Sequence, residues 1–468
     1  MRAGNQYTGG GAGLPSPSGQ RVSIFVPEHH PLLQLKRALD WERIGQVMVK
    51  HWRVAGKNVA GGRGVGWPVS LYVPLLVLRA VKALNSRQME EYCAENGVAR
   101  VFLDLPEQVE PAVRDHSNIA RAQAALGAQG WQEVNQLIVA EAVRLGFGRL
   151  AVVSADTTVQ EPQIGYPHEA GILRGIAQRV LRSLRKLQQL GCRATAAARA
   201  KAKDVLRSVK HYHLFAKTKA EKDHVLQQIV HQTQDLIKAS QAVSTQVQNT
   251  IQQAVRSAVA KLRQMAAVTH ALIPQIQQWL ATGVVASGKI LHAGITTARA
   301  IVKNKVGKKV EFGLKWLLTR IEGGYVFGQV VPAHADERQM PLAALSQYRA
   351  IFGPTATPQL LVYDRGGSAA KTVTKLQQAG IPKVGIEPVG KAVWSIAAAD
   401  QKKVKSQRAK IEGSIGALKS PKYAFNHGRQ RTDQSLVATG QWALMCLNVN
   451  KLMRDLVGKD QKAQAAAV

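Results

Sequence analysis

Apolar positions along this chain change period several times, and each change marks a new element. Helical spacing runs through 33–52 and again through 70–96, where Leu71, Leu75, Leu78 and Val81 share a face. Ser86 followed by Glu90 and Glu91 resembles a helix start, and Asp115 or Ser117 can cap a helix through Ile119 and Leu126. Val134, Leu137, Ile138 and Ala142 carry the pattern on through 131–144. Together these stretches predict a compact helical domain over 30–145. At 149–156 the period gives way to a short apolar run, Leu150-Ala151-Val152-Val153, ending in Ser154-Ala155-Asp156. That is the pattern of a buried strand delivering a carboxylate at its C-terminal end.

A long helical region follows, with a single proline, Pro274, between about 172 and 302. Ile229, Leu236, Val243, Val247, Ile251, Val255, Val259 and Leu262 recur at steps of three, four or seven. The spacing predicts one long amphipathic helix over 222–270, its stripe used for intramolecular packing or for a dimeric coiled coil. Strands return at 310–321 and 325–332 around Glu322-Gly323-Gly324, a hairpin signal. Residues 359–364 form another buried strand that ends in an acid, Asp364. Helices are expected at 371–380 and 403–420, and a final apolar helix at 433–457. Strands separated by a large helical insert imply a mixed α/β core rather than a repeat protein.

Residues 1–20 are rich in Gly, Ser and Pro without a period and read as a disordered tail. Gly61, Gly62, Gly64 and Gly66 cluster, but no strand precedes them and no Lys-Ser/Thr follows, so they read as a flexible connection, not a phosphate loop. The three cysteines, Cys93, Cys192 and Cys446, lie far apart and form no disulfide framework or zinc ribbon, which fits a reducing compartment. Without an apolar run long enough to span a bilayer or an N-terminal signal core, the expectation is a cytoplasmic, nucleoid-associated protein with no membrane partner.

Charge changes the picture most. The 468 residues hold 63 Lys and Arg against 30 Asp and Glu, a net of +33, yet 46% are hydrophobic. The chain can therefore build a core and is not a disordered polycation, and its expected partner is a polyanion. The excess is uneven. Residues 150–170 hold three acids and no base, whereas 171–310 hold 24 bases and 4 acids. So dense a basic insert predicts binding to a nucleic-acid backbone.

Three carboxylates stand out inside this basic background. Asp156 and Asp364 end buried strands, and Glu412 lies on the 403–420 helix, whose apolar face is Ile411, Ile415 and Leu418. Adjacent parallel strands bring their C-terminal ends together, and a helix across that edge can aim a glutamate at the same point. Three converging acids call for divalent cations, and hard oxygen ligands suit Mg²⁺, with Mn²⁺ able to substitute. Two such ions would support in-line phosphodiester displacement. Arg408 and Lys419 fall on one side of the same helix as Glu412 and can grip phosphates, with Lys402, Lys403, Lys405 and Lys410 nearby. Trp394, between Asp364 and Glu412, either stacks on an unpaired base or caps the core. Glu161 and Glu169 read as loop charges, Asp336 and Glu337 as caps of a helix at 341–351, and no histidine spacing suggests a metal site.

These blocks resemble those of bacterial insertion-sequence DDE transposases. Asp156-Thr157-Thr158-Val159-Gln160-Glu161 with Tyr166-Pro167 resembles the first-aspartate block, and Tyr363-Asp364-Arg365-Gly366-Gly367 the second. Residues 306–315, which include Lys308 and Lys309, resemble the second strand, and His334-Ala335-Asp336-Glu337 follows the third. Arg408, Glu412 and Lys419 reproduce the R-x3-E-x6-K spacing, although Lys405 stands where the fuller signature has Tyr.

The resemblance implies an α/β RNase H-like catalytic core with a mixed sheet, an N-terminal helical domain and a large all-α insertion between the first and second core strands. The expected segments are a tail at 1–29, a DNA-binding domain at 30–145, core at 146–172 and 306–457, the basic insertion at 173–305, and a tail at 458–468. Asp156, Asp364 and Glu412 would bind two Mg²⁺ ions and catalyse cleavage and strand transfer. Arg408, Lys419, Lys405, Lys410, Lys308, Lys309 and Trp394 would contact DNA. The partners would be terminal inverted repeats and target DNA, bound by a homodimer or higher assembly. A metal-dependent nuclease on the same fold and a non-catalytic DNA-binding protein are the alternatives.

Overall fold

The computed structural model describes residues 26–56, 69–105, 115–302, 309–390, 393–426, 428 and 430–466. The tail at 1–20 and the glycine cluster at 61–66 lie outside them. The chain divides into two compact units. The first comprises Met1–Gln160, Lys315–Gly428 and Gln434–Val468, and the second Glu161–Leu314 with Arg429–Asp433.

The first unit opens with six helices. The apolar period at 33–52 is cut in two, α1 (Pro31–Ala38) and α2 (Trp41–Val54), because the Asp40 carboxylate accepts from the Arg43 amide at 3.0 Å and starts a new helix. The 70–96 stretch is likewise split into α3 (Val69–Lys82) and α4 (Ser86–Glu95). Asn85, one residue before the expected start, forms a capping box with Gln88. After α5 (Gly97–Phe102), the helical pattern expected through 117–144 is α6 (His116–Arg144), capped by Asp115 and kinked at Gly127, whose φ is +61°. That conformation is open to glycine at little cost.

A mixed sheet follows. Strand β1 (Arg149–Gln160) pairs in parallel with β5 (Leu360–Tyr363), and β5 with β6 (Lys383–Ile386). On the other side of β1 lies β3 (Val310–Glu322), which pairs antiparallel with β4 (Val326–Val330) through the expected hairpin. Gly323 turns with φ +101°, and a Cβ there would lie 2.1 Å from the Phe147 carbonyl oxygen, so glycine is required. Helices α11 (Met340–Phe352), α12 (Ala370–Gln378), α13 (Ala398–Leu418) and α14 (Asp433–Ala466) complete the set.

Buried amides tie these layers together. Asn448 of α14 accepts from the Val326 amide at 2.9 Å and donates to Asn135 Oδ1 of α6 at 2.7 Å. Helix α6 is thereby bonded into the same compact unit as the sheet. Trp316 of β3, fully buried, donates to Gln160 Oε1 at 2.9 Å.

The second unit is a helical bundle of α7 (Glu169–Gln189), α8 (Ala196–Leu214), α9 (Lys219–Gln246) and α10 (Gln253–Thr282). The single helix expected over 222–270 is therefore two helices broken at 247–252. Ile229, Leu236 and Val243 of α9 and Val255, Val259 and Leu262 of α10 are buried in one cluster with Leu173 and Ile176 of α7. Both halves of the stripe can reach the same core only if the chain turns between them, and Ile251 in that turn is 91% exposed. The stripe serves intramolecular packing. Pro274 sits within α10 without ending it, and the left-handed Gly283 does end it. A short strand, β2 (Arg299–Val302), pairs antiparallel with residues 310–313.

Candidate active site at the carboxyl ends of two parallel strands

Strand register carries two acids toward the same edge. Val152 pairs with Leu360 and Ser154 with Val362, and Asp156 and Asp364 each follow, by two positions, the last residue of their strand paired with the other. Contrary to expectation, Asp156 does not end its strand, because β1 runs on to Gln160. Asp364 does leave the sheet, at the start of a 3-10 turn over Arg365–Gly367. Side chains alternate along a strand. Val152 of β1 and Leu360 and Val362 of β5 cluster with Val404 of α13, so the two aspartates continue the face that α13 covers. Because β3 and β5 flank β1 on opposite sides, the strand order switches there, and a crevice at such a point is where α/β sheets bind ligands.

Helix α13 carries the rest of that face. Val404, Gln407, Ile411 and Leu418 are buried, whereas Ile415 is only half-buried. Arg408 Nη1 lies 2.9 Å from Glu387 Oε2, and its Nη2 lies 3.9 Å from Glu412 Oε1 one turn on. Arg365 reaches the other Glu387 oxygen at 2.9 Å. The hydrogen bond from Arg365, and then the nearby charges of Arg365 and Arg408, hold Glu387 below the usual carboxylate range. Burial pushes Asp364 above that range, the negative Glu337 adds to the effect, and Arg408 opposes it. Oxygen Oδ1 of Asp364 is buried and, among the described residues, has no hydrogen-bond partner.

A second network meets the aspartates from behind. Glu337 accepts from Tyr363 Oη at 2.6 Å and from Thr157 Oγ1 at 3.1 Å, and pairs with Lys315 Nζ at 2.8 Å. Burial alone would raise the pKa of Glu337, but the bonds from Lys315 and Tyr363 outweigh it and leave it lowered. Burial, followed by the charge of Glu337, drives the Tyr363 hydroxyl far above its ordinary range. Asp336 caps the following turn by accepting from the Arg338 amide at 3.0 Å, whereas Glu337 instead turns into this network. The pattern Gly313-Leu314-Lys315-Trp316-Leu317 held the signal for it, since a lysine within a buried strand demands an anionic partner.

The other residues expected to act at the site are dispersed. Lys405 and Lys410 are exposed on α13, and Lys419 is its half-buried C-cap residue. Lys309 is exposed, and Lys308 lies outside the described residues. Trp394 is half-buried against the cluster of Val152, Leu360, Val362 and Val404, the core-capping arrangement. Glu169 is ion-paired with Lys289 in the second unit and is no free loop charge. Among the described residues, no three His, Cys, Asp or Glu are grouped so as to hold a metal ion, and the Glu412 side chain is 61% exposed.

The fold is α/β, with Asp156 within β1 and Asp364 just past the end of its parallel neighbour β5. Residues 20–124, under a quarter of the chain, match the family model described as Transposase domain (DUF772). The matched stretch contains α1–α5 and the first turns of α6 and ends before Asp156. No curated protein and no solved structure matches the chain. Among the described residues, no helix is long and apolar enough to cross a membrane.

Proposed function

We propose that the protein is a DNA transposase of the insertion-sequence type, built on an RNase H-like core, with Asp156, Asp364 and Glu412 as its catalytic carboxylates. What supports the reading is the parallel pairing of β1 with β5, each bearing an aspartate two residues after their last mutual pair, under α13, the helix that bears Arg408 and Glu412. The transposase-domain match over 20–124 supports the same activity from a separate part of the chain.

Carboxylate oxygens are the donors that a hard divalent cation takes. Asp364 keeps a buried oxygen without a hydrogen-bond partner among the described residues and is destabilised as an anion by burial, conditions that a bound cation relieves. Asp156, Asp364 and Glu412 would hold Mg²⁺ or Mn²⁺, which supplies Lewis acidity for phosphodiester chemistry. Arg408, held by Glu387, stands beside these acids to bind a phosphate, and the exposed Lys405 and Lys410 extend that cationic edge. Lys419, Lys309 and Lys308 are further DNA contacts in this reading. Substrates are terminal inverted repeats and target DNA. Two ends must be joined, so the working form is a dimer or higher assembly on DNA.

The test is a cleavage and strand-transfer assay with labelled copies of the inverted repeats flanking the reading frame, in Mg²⁺. Asp364→Asn should abolish both reactions and leave DNA binding intact. Unimpaired strand transfer by Asp364→Asn rejects the assignment, and cleavage without transfer by the wild-type protein indicates a nuclease.

A further inference from the structure

We infer that Glu337 is a positioning residue that sets the height of Asp364 against Asp156, acting from the opposite face of the sheet; the inference rests on the catalytic reading above. The need arises where backbone pairing stops. Paired residues of β1 and β5 run to Ser154 and Val362, and β5 ends at Tyr363. Asp364 then enters the 3-10 turn, outside the ladder. Past that point strand pairing no longer sets the height of Asp364 against Asp156.

Thr157 follows Asp156, and Tyr363 precedes Asp364, so alternation turns both away from the aspartates. Both donate to the one carboxylate of Glu337, at 3.1 and 2.6 Å. An acceptor shared by two strands fixes the separation of their backbones and so of the acids each carries. Lys315 makes a charged acceptor tenable here: its side chain is 6% exposed, 2.8 Å from Glu337, and it also donates to the Ala335 carbonyl at 3.0 Å. Glu337 is half-buried, and the buried Lys315 ammonium gains an anionic partner in it. Gly366 permits the close fit, since a Cβ there would stand 3.1 Å from Asp364 Oδ1 and 3.5 Å from Glu337 Cβ.

The test uses the full chain. Thr157→Val with Tyr363→Phe removes both strand bonds and leaves the Lys315–Glu337 pair, and Glu337→Gln removes the charge. Folding is followed by circular dichroism, Mn²⁺ binding by loss of the free-ion EPR signal, and cleavage of a labelled inverted repeat by kcat and KM separately. In the double variant, kcat should fall on the order of 10- to 100-fold and Mn²⁺ affinity about 10-fold, with KM for DNA little changed. Adding Glu337→Gln to the double variant should cost little more, as residues of one network are not additive. A folded double variant with wild-type kcat and Mn²⁺ affinity overturns the inference, and it decides the matter if Glu337→Gln fails to fold. If Asp364→Asn also binds Mn²⁺ and cleaves normally, the catalytic reading itself has failed instead.

Discussion

Tyr363 donates its hydroxyl to Glu337 Oε2 at 2.6 Å, linking the end of β5 to a carboxylate that follows β4. The bond joins a fully buried phenol to an anion that also receives Thr157 of β1. Two strands, each bearing an aspartate, thus share one acceptor on the face away from those aspartates. That shared acceptor ties the two strands to each other beside the aspartates.

Arg408 bridges Glu387 and Glu412 with a planar fork that lysine lacks. Arg408→Lys should keep DNA affinity within a few-fold and lower the strand-transfer rate on the order of 10-fold, the scale of losing one bidentate bond to phosphate. Single-turnover kinetics beside a binding titration separate the two effects.

The second unit presents its charge outward. Arg182, Arg185, Lys203 and Lys210 are exposed on α7 and α8, while the apolar stripes are buried inside the bundle. Replacing all four with Gln should flatten the log–log salt dependence of DNA binding by up to about 3 to 4, at roughly 0.9 for each phosphate no longer neutralised. An unchanged slope would assign the bundle a structural role.

Asn448 is fully buried, and its oxygen meets the Val326 amide. Asn448→Leu leaves that amide and Asn135 Oδ1 without this partner, so thermal or urea unfolding should show a loss of about 2 to 4 kcal/mol. The first unit should lose stability as a whole, because the bond network crosses from α6 through β4 to α14.

Burial pushes the Cys93 thiol up to about 12 and the Cys446 thiol higher still. Raised values keep both as unreactive thiols at pH 8. Iodoacetamide should label the half-buried Cys192 first, and Cys93 and Cys446 only after denaturation, as peptide mass mapping would show.

Much of this was legible in the residues. Strong period and cap chemistry located β1, β5, the 322–324 hairpin and the start of α6 at Asp115, since those signals are local. The break at 247–252 was not legible, because an uninterrupted stripe scores as one helix whether or not its halves fold onto the same core. Glu337 was hidden for a related reason. Beside Asp336, before a helix, it has the local pattern of a cap, and only its neighbours in space show otherwise.

The sequence by itself determined the types of element, the uneven charge and the acid that follows β5, because period, capping and composition are properties of neighbours in the chain. Tertiary structure alone decided that β1 pairs with β5 in parallel, that α13 packs on Val152, Leu360 and Val362, and that Lys315, Thr157 and Tyr363 converge on Glu337. Strand register and the burial of a charge are set by residues far apart in sequence, and no local pattern encodes which of them meet.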